Sequence, residues 1–302
     1  VLRLPFYEAL RFKASWGAGF RAPNLRSMYG FTGVEFDSLK QDFYGCELNG
    51  IALEDCYWVP MDISSGANPD LQAENSESWS VGLDWQFADR WSASINYFNL
   101  ELADQIEHAN VSAQLGADWW SGGNNPNVQR NEQGWAVRVD TRWQNSYVPL
   151  NFDSVDFALY GDVTTPFGEL GLQAHASKYL TYETELTYGT GETLNVVGLG
   201  GAPEWRGNLL FTWSLNDAFA SLNWDYISSQ TYYITKEKIP SWDTLNVQAG
   251  CDFGHFGTFT LGANNVLNKE PDLNEDGLPM NLNNSLYDWT GRVVYLSYRV
   301  ER

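Results

Sequence analysis

Apolar and polar residues alternate along most of this chain. In residues 76–87, Trp79, Val81, Leu83, Trp85 and Phe87 are apolar, while Ser76, Ser78, Ser80, Asp84 and Gln86 between them are polar. A strand turns successive side chains to opposite faces, so such a segment has one greasy face and one wet face. The same period returns in residues 10–16, 155–164, 169–177, 205–214, 220–226, 244–253, 258–264 and 294–300. Residues 91–106 predict a further strand with a slip of phase: Trp91, Ala93, Ile95 and Tyr97 are followed by Phe98, Leu100 and Leu102. A β-bulge near Asn99 accounts for the slip. The pattern predicts about ten strands of ~10–13 residues, longer than the ~5–6 of ordinary sheets. That length matches the ~9–11 residues with which a tilted strand crosses a bilayer core.

The connections alternate as well. Tight links stand at Ala88-Asp89-Arg90, Thr165-Pro166-Phe167-Gly168, Asn216-Asp217 and Gly254-His255. Long ones span residues 19–75, 107–151, 184–203, 230–242 and 267–289. Short turns at one end and long loops at the other is the asymmetry of an outer-membrane barrel. Aromatic residues flank the tight turns: Phe87, Trp91, Phe167, Trp213, Phe219, Phe253 and Phe256. Such rings suit a lipid headgroup layer, because one end is apolar and the other stays wet.

Composition narrows the field. The 302 residues hold 38 acidic and 18 basic side chains, a formal charge of −20, which disfavours nucleic acid as a partner. Aromatics at 15% exclude a disordered acidic chain. No stretch approaches the ~18 apolar residues of a membrane helix, but a barrel spreads its apolar residues one in two. The wet face carries Glu169, His175, Arg206, Asp252 and Arg299, which suit a hydrated lumen or a protein plug. The chain opens on Val1 with no secretion leader, as expected of a mature piece or fragment.

Two stretches carry a family signature. The first is Arg11-Phe12-Lys13-Ala14-Ser15-Trp16-Gly17-Ala18-Gly19-Phe20-Arg21-Ala22-Pro23-Asn24-Leu25, with Met28-Tyr29-Gly30 after it. The second is Asn68-Pro69-Asp70-Leu71-Gln72-Ala73-Glu74-Asn75-Ser76-Glu77-Ser78-Trp79. With Leu261-Gly262-Ala263-Asn264-Asn265-Val266-Leu267-Asn268-Lys269-Glu270-Pro271 near the end, their order resembles the TonB-dependent outer-membrane receptors. The resemblance implies an all-β fold: a transmembrane, antiparallel, up-and-down β-barrel with short periplasmic turns and long extracellular loops. Residues 1–302 would be the C-terminal portion of a barrel of about 22 strands, without its plug and TonB box. It implies energised uptake of a scarce ligand such as a siderophore, cobalamin or saccharide, in the outer membrane of a Gram-negative bacterium. Implied partners are TonB (through the missing N-terminal part), outer-membrane lipid and lipopolysaccharide, the imported small ligand, and the barrel-assembly machinery. That machinery reads a terminal aromatic residue, whereas this chain ends Arg299-Val300-Glu301-Arg302. No enzymatic chemistry and no cofactor are expected.

Other motifs are sparse. His108, His175 and His255 are scattered, and no zinc motif, Ser-His-Asp order or phosphate loop stands out. Asp272, Asn274 and Asp276 echo half of a calcium loop, but its twelfth position is Asn283 and not the bidentate Glu. Cys46 and Cys56, ten apart in a polar loop, are expected to pair in an oxidising compartment. Loop aromatics are the candidate ligand contacts: Tyr57 and Trp58 in the first long loop, and Trp119, Trp120, Trp135 and Trp143 in the second. Packing the loops together is the competing role for each. Arg21 is expected to fix the exit of its strand. Alternation by itself leaves two other architectures open. One is a self-contained ten-stranded outer-membrane channel or adhesin. The other is a soluble, secreted carbohydrate-binding protein whose sheets pack greasy face to greasy face.

Overall fold

The computed structural model describes residues 2–3, 9–185, 193–232, 236–270, 286–288 and 290–300. Ten long strands form one curved wall, each antiparallel to the next: β1 (Leu10–Arg21), β2 (Glu74–Ala88), β3 (Trp91–Ala103), β4 (Leu150–Thr165), β5 (Gly168–Glu185), β6 (Trp205–Leu215), β7 (Ala218–Ile227), β8 (Trp242–Asp252), β9 (Thr258–Asn264) and β10 (Val293–Arg299). The short strands Leu2–Arg3 and Thr193–Asn195 pair with β1 and β5. Spatial order follows chain order throughout, the mark of an up-and-down sheet. β1 and β10 lie far apart in that order and do not pair, so a self-contained ten-stranded barrel is not formed by the described residues.

Register decides which face each side chain meets. Phe12, Leu83, Ile95, Phe157, Ala176, Gly207, Tyr226 and Asp243 lie in one row across the wall. The next row of that face runs Leu159, Ala174, Leu209, Trp224, Leu245. Large apolar groups there stay open: Trp85 is 51% exposed and Leu261 59%. No second sheet covers this face among the described residues, so the stacked, soluble arrangement is not the one adopted. The opposite face is polar and knitted together by short contacts. Lys13 pairs with Asp84 at 2.7 Å, the Ser15 and Ser80 hydroxyls meet at 2.8 Å, and Tyr295 donates to Gln248 at 3.1 Å.

All four tight turns fall at one end of the wall. The Asn216-Asp217 hairpin turns in two residues, with Asn216 at φ 51°, a left-handed conformation that Asn tolerates. Phe167 (78% exposed) and Phe256 (71%) project freely there, and the Trp213 indole donates to the Phe167 carbonyl at 2.7 Å. Phe219 departs from this belt. It lies on the polar face over Gly250, where an added Cβ would come within 2.4 Å of its ring.

Two expectations from the alternation need correction. β3 pairs with both neighbours without interruption through Asn99, so no bulge lies there. The register shifts fall elsewhere, at Phe87 beside the turn and between Asp153 and Ser154, where β5 carries Leu180 as an extra residue. The long links 19–75 and 107–151 are not simple loops. They fold together into a cap at the end opposite the tight turns. Its four-stranded sheet has the order Thr32–Gln41, Trp58–Gly66, Ala136–Asp140, Val128–Arg130, and its middle pair is parallel.

Three helices complete the cap: α1 (Leu25–Tyr29), α2 (Phe43–Leu48) and α3 (Val111–Trp120). Each starts at a side-chain cap, from Asn24, Asp42 and Asn110 respectively. Val59, Met61, Leu115, Val128, Ala136 and Val139 form the cap's core, with Val111 and Trp135 packed against it. A disulfide joins Cys46 to Cys56. Beside the core, Arg130 reaches the carboxylates of Asp42 (2.8 Å) and Asp118, which are 1% and 0% exposed. Burial pushes the Asp42 carboxyl up. Hydrogen bonds from Arg130 and from the backbone N–H groups of Ala136 and Gly45 outweigh that and hold it below the ordinary carboxylate value.

Arg130→Met strands two buried carboxylates and is expected to destabilise the cap by about 3–5 kcal/mol. Arg142→Gln, at an exposed pair, costs about 0–1 kcal/mol. Limited proteolysis with mass mapping of residues 22–149 separates the two. Because the folded-state value of Asp42 is depressed, its contribution is intact above the unfolded carboxylate pKa of about 4 and is lost as pH falls through the folded value. The same assay at pH 5 and at pH 3 is expected to show protease resistance retained at the first and reduced at the second. Val247→Arg, on the open apolar face, is expected to cost about 2–4 kcal/mol of unfolding free energy in lipid vesicles. Gln248→Arg, one residue on and facing inward, loses the hydrogen bond from Tyr295 and is expected to cost less, about 0.5–1.5 kcal/mol.

Candidate functional site

Above mid-height the two faces of the wall exchange character. On the convex side the indole of Trp16 donates to Glu77 at 2.8 Å, and Asp153 accepts from Tyr97 (2.6 Å) and Asn99 (2.8 Å). On the inner side Phe152 packs on Phe98, Tyr179 and Tyr182, with ring centroids 6.3, 5.3 and 5.9 Å away. Leu100 pairs with Phe152, and Leu102 with Leu150, in successive rows of the same inner face. The slip of phase in residues 91–106 is therefore a change of surroundings. Below it the apolar residues face outward; above it they face the mouth of the lumen. These inner aromatics are functional candidates that the alternation missed. The signal was present: polar Asn99 and Glu101 enter the apolar phase just as Phe98 and Leu100 enter the polar one.

Lower on the inner wall, a groove of about 530 Å³ is lined by His175, Arg206, Asn208, Asp225 and Asn246, with Asp288 at its edge. Asp225 accepts from the amides of Asn208 (2.8 Å), Asn223 (2.7 Å) and Asn246 (3.1 Å). The row is a ladder of hydrogen-bonding groups. Among the described residues no group of three His, Cys, Asp or Glu is placed to hold a metal ion. Asp272, Asn274 and Asp276 lie outside the described residues.

The second motif forms the joint between wall and cap. The Asn68 backbone N–H donates to Ser27 O (2.8 Å), and its side-chain amide to Trp143 O (2.9 Å). Gln72 N donates to the Asn145 side chain (2.8 Å), whose amide returns to Gln72 O and Asp104 O. Glu74, 4% exposed, accepts the Ile106 N–H (2.7 Å) and both arms of the Arg21 guanidinium. Arg21 thus closes the top of β1 onto β2. Glu107 stands nearby in Ile106–His108, its carboxyl pushed up by burial and then by the charges of Glu185 and Glu74.

The six loop aromatics do not converge. Tyr57 and Trp135 meet at 5.5 Å, with Tyr57 52% exposed and Trp135 against the cap core. Trp58, 58% exposed, lies on a cap strand. Trp119 donates to Glu47 at 2.6 Å and touches Phe43 and Trp120, and Trp120 is 68% exposed. Trp143 packs edge-on against His108 at the joint. Tyr57, Trp58 and Trp120 are open to a ligand, whereas Trp135 and Trp143 hold the cap together. Glu74→Ala leaves the Ile106 N–H unpaired and is expected to cost about 1–3 kcal/mol. Hydrogen exchange at residues 104–108 should speed up, while exchange within β6–β8 stays as it was.

Residues 2–266 match the family model described as TonB dependent receptor-like, beta-barrel. The fold is similar to that of a ferric enterobactin receptor mutant from Pseudomonas aeruginosa, with a TM-score of 0.65 and 14% identity over 96% of this chain and 38% of that one. It is also similar to the siderophore receptor PirA from Acinetobacter baumannii (TM-score 0.62, 14% identity, 95% and 38% covered). The Serratia marcescens hemophore receptor HasR, in complex with its hemophore and heme, matches with a TM-score of 0.53 at 13% identity, over 87% of this chain and 35% of that one. The chain thus spans about 38% of the length of the first of these structures. No curated protein matches it in sequence. With its tight turns at one end, its polar inner wall and its open apolar outer face, the chain belongs to the TonB-dependent receptor-like β-barrel family.

Proposed function

We propose that this chain is the C-terminal wall and extracellular cap of an outer-membrane receptor that imports a scarce ligand by TonB-dependent transport, with a siderophore as the ligand class. One observation carries the reading: a polar, hydrogen-bonding inner wall rises to an aromatic mouth that sits beneath a folded cap. A wall of this kind admits a hydrated solute or a plug, and the apolar convex face suits lipid. The cap places groups for capture at the far end from the periplasmic turns. The structural relatives named above are receptors for siderophores and for a heme-carrying protein, which supports the ligand class. In this reading Tyr57, Trp58 and Trp120 take the ligand outside the barrel, and Phe98, Phe152, Tyr179 and Tyr182 receive it at the mouth.

Cells carrying the full-length receptor are expected to accumulate radio-iron from a ferric siderophore only while TonB is energised, and to lose that uptake on deletion of the gene. Uptake that survives the deletion, or that ignores TonB, overturns the reading. Trp120→Ala is expected to raise the half-saturating ligand concentration several-fold and leave cap stability unchanged. Trp135→Ala is expected to destabilise the cap by about 3 kcal/mol, seen as faster proteolysis of residues 22–149.

A further inference from the structure

Wall and cap share one spatial order. In the wall the strands run β1, β2, β3, β4. In the cap the β1–β2 link supplies Thr32–Gln41 and Trp58–Gly66, and the β3–β4 link supplies Ala136–Asp140 and Val128–Arg130, in that sequence across the sheet. Strand Thr32–Gln41 is therefore an edge of the cap sheet, on the side of β1. Trp58–Gly66 pairs with it on one side, and among the described residues no strand pairs with it on the other.

Half of that edge is protected and half is open. A bulge between Glu35 and Ser38, with Asp37 at φ 54°, breaks the ladder at its middle, and Lys40 adds a charge beyond it. Bulges and charges of this kind stop a sheet from growing. Thr32, Gly33 and Val34 carry neither charge nor proline. Val34 and Phe36 turn to a groove of about 600 Å³ on the sheet face away from the cap core, with Asn127, Arg138 and Arg142 across it. Phe31 takes the opposite face, where an added Cβ on Gly33 would stand 3.1 Å from its ring. Phe31 is 90% exposed and Phe36 72%. Phe20, Leu25, Tyr29 and Leu39, from the same stretch of chain, are also more than half exposed. Open apolar groups gathered in this way mark an interaction surface.

The wall indicates what covers it. Leu2–Arg3 pairs antiparallel with the lower end of β1, Leu2 opposite Phe12 and Arg3 opposite Arg11. The chain leading into Leu2 therefore descends along the free edge of β1, from the height of Arg21. At membrane depth that edge needs a partner. The extracellular link that feeds this descending strand then stands beside Thr32–Gln41. That a full wall strand ends at Leu2 rests on the receptor reading above.

We propose that an extended, uncharged segment of that upstream extracellular link adds a further strand to the cap sheet along Thr32–Glu35, with apolar side chains against Phe31 on one face and against Val34 and Phe36 on the other. Main-chain hydrogen bonds hold such a strand, and the flanking side chains select its sequence. The addition ties the cap to the part of the barrel that precedes Leu2.

The test uses the full-length receptor in outer-membrane vesicles. The photo-reactive residue benzoylphenylalanine replaces Phe31 in one variant and Trp120, on helix α3, in a control. After irradiation and digestion, position 31 is expected to be joined to a peptide of the link that precedes Leu2, at the mass of a single chain and at least tenfold more than position 120. Hydrogen exchange is then compared between wild type and a variant whose upstream link is shortened to a Gly-Ser turn. Exchange at Thr32–Glu35 is expected to be at least tenfold faster in the variant, with Ala136–Asp140 unchanged. If the shortened variant does not insert, the crosslink decides. No crosslink, or one to another peptide of the same chain, to a second copy at twice the mass, or to lipopolysaccharide alone, overturns the added strand, as does unchanged exchange at Thr32–Glu35. Any of these with uptake intact overturns the strand and leaves the import reading standing. Uptake that ignores TonB, with the crosslink in place, overturns the import reading and leaves the strand.

Discussion

The constraint on which this structure depends is that hydrocarbon offers no hydrogen bonds. Any backbone N–H or C=O left unpaired at membrane depth costs several kcal/mol, so a spanning strand must have a partner on each side. Within the wall, β2 to β9 meet that demand in the simplest way, each antiparallel to its predecessor and successor. Period-two alternation follows from it. Once the backbone is satisfied within the sheet, side chains are the only variable, and each either touches lipid or touches the lumen.

The height of a residue along its strand then matters as much as its face. In the middle of the wall the convex rows are Leu, Phe, Trp and Ala. Toward the cap the same face turns to Glu77, Asn99 and Asp153, tied to one another or to Trp16 and Tyr97. Inside, the opposite change brings Phe98, Phe152, Tyr179 and Tyr182 together. One cause explains both changes: above the lipid, the outer surface is wetted and the mouth is where an apolar solute would first meet protein. A strand can cross that boundary with unbroken pairing, and β3 does so at Asn99.

The cap obeys different physics. It lies in water, so it needs a core of its own, and it has one in Val59, Met61, Leu115 and Val139. That core is assembled from two links separated in the chain by the β2–β3 hairpin. The parallel pairing of Trp58–Gly66 with Ala136–Asp140 brings them together, and the triad of Arg130 with Asp42 and Asp118 joins them at buried charges. A buried triad of this kind is costly to form and costlier to break, so it specifies one arrangement more than it adds stability. The Asn68–Glu74 stretch fixes the cap to the wall by hydrogen bonds to both.

Alternation along the chain determined the strands of the wall and which side of each is greasy at mid-height, because a period of two turns alternate residues to opposite faces; their up-and-down order came only with the family resemblance and the register. The motif around Arg21 and the motif ending in Glu74 were visible as words, and only the fold showed that they meet as a salt bridge closing β1 onto β2. Tertiary structure alone decided the cap. Helix α3 and the short strands around it have no clear period, and their apolar residues are shared between links that pair residues as distant in sequence as Ile63 and Val139. Pairing at such separation is set by how the pieces pack once the wall has brought their ends together, and a local pattern carries no record of that. The same reason hid the groove on the cap. Arg138 and Arg142 stand apart from Phe36 in the sequence, and the packing of Thr32–Gln41 brings the three to one groove.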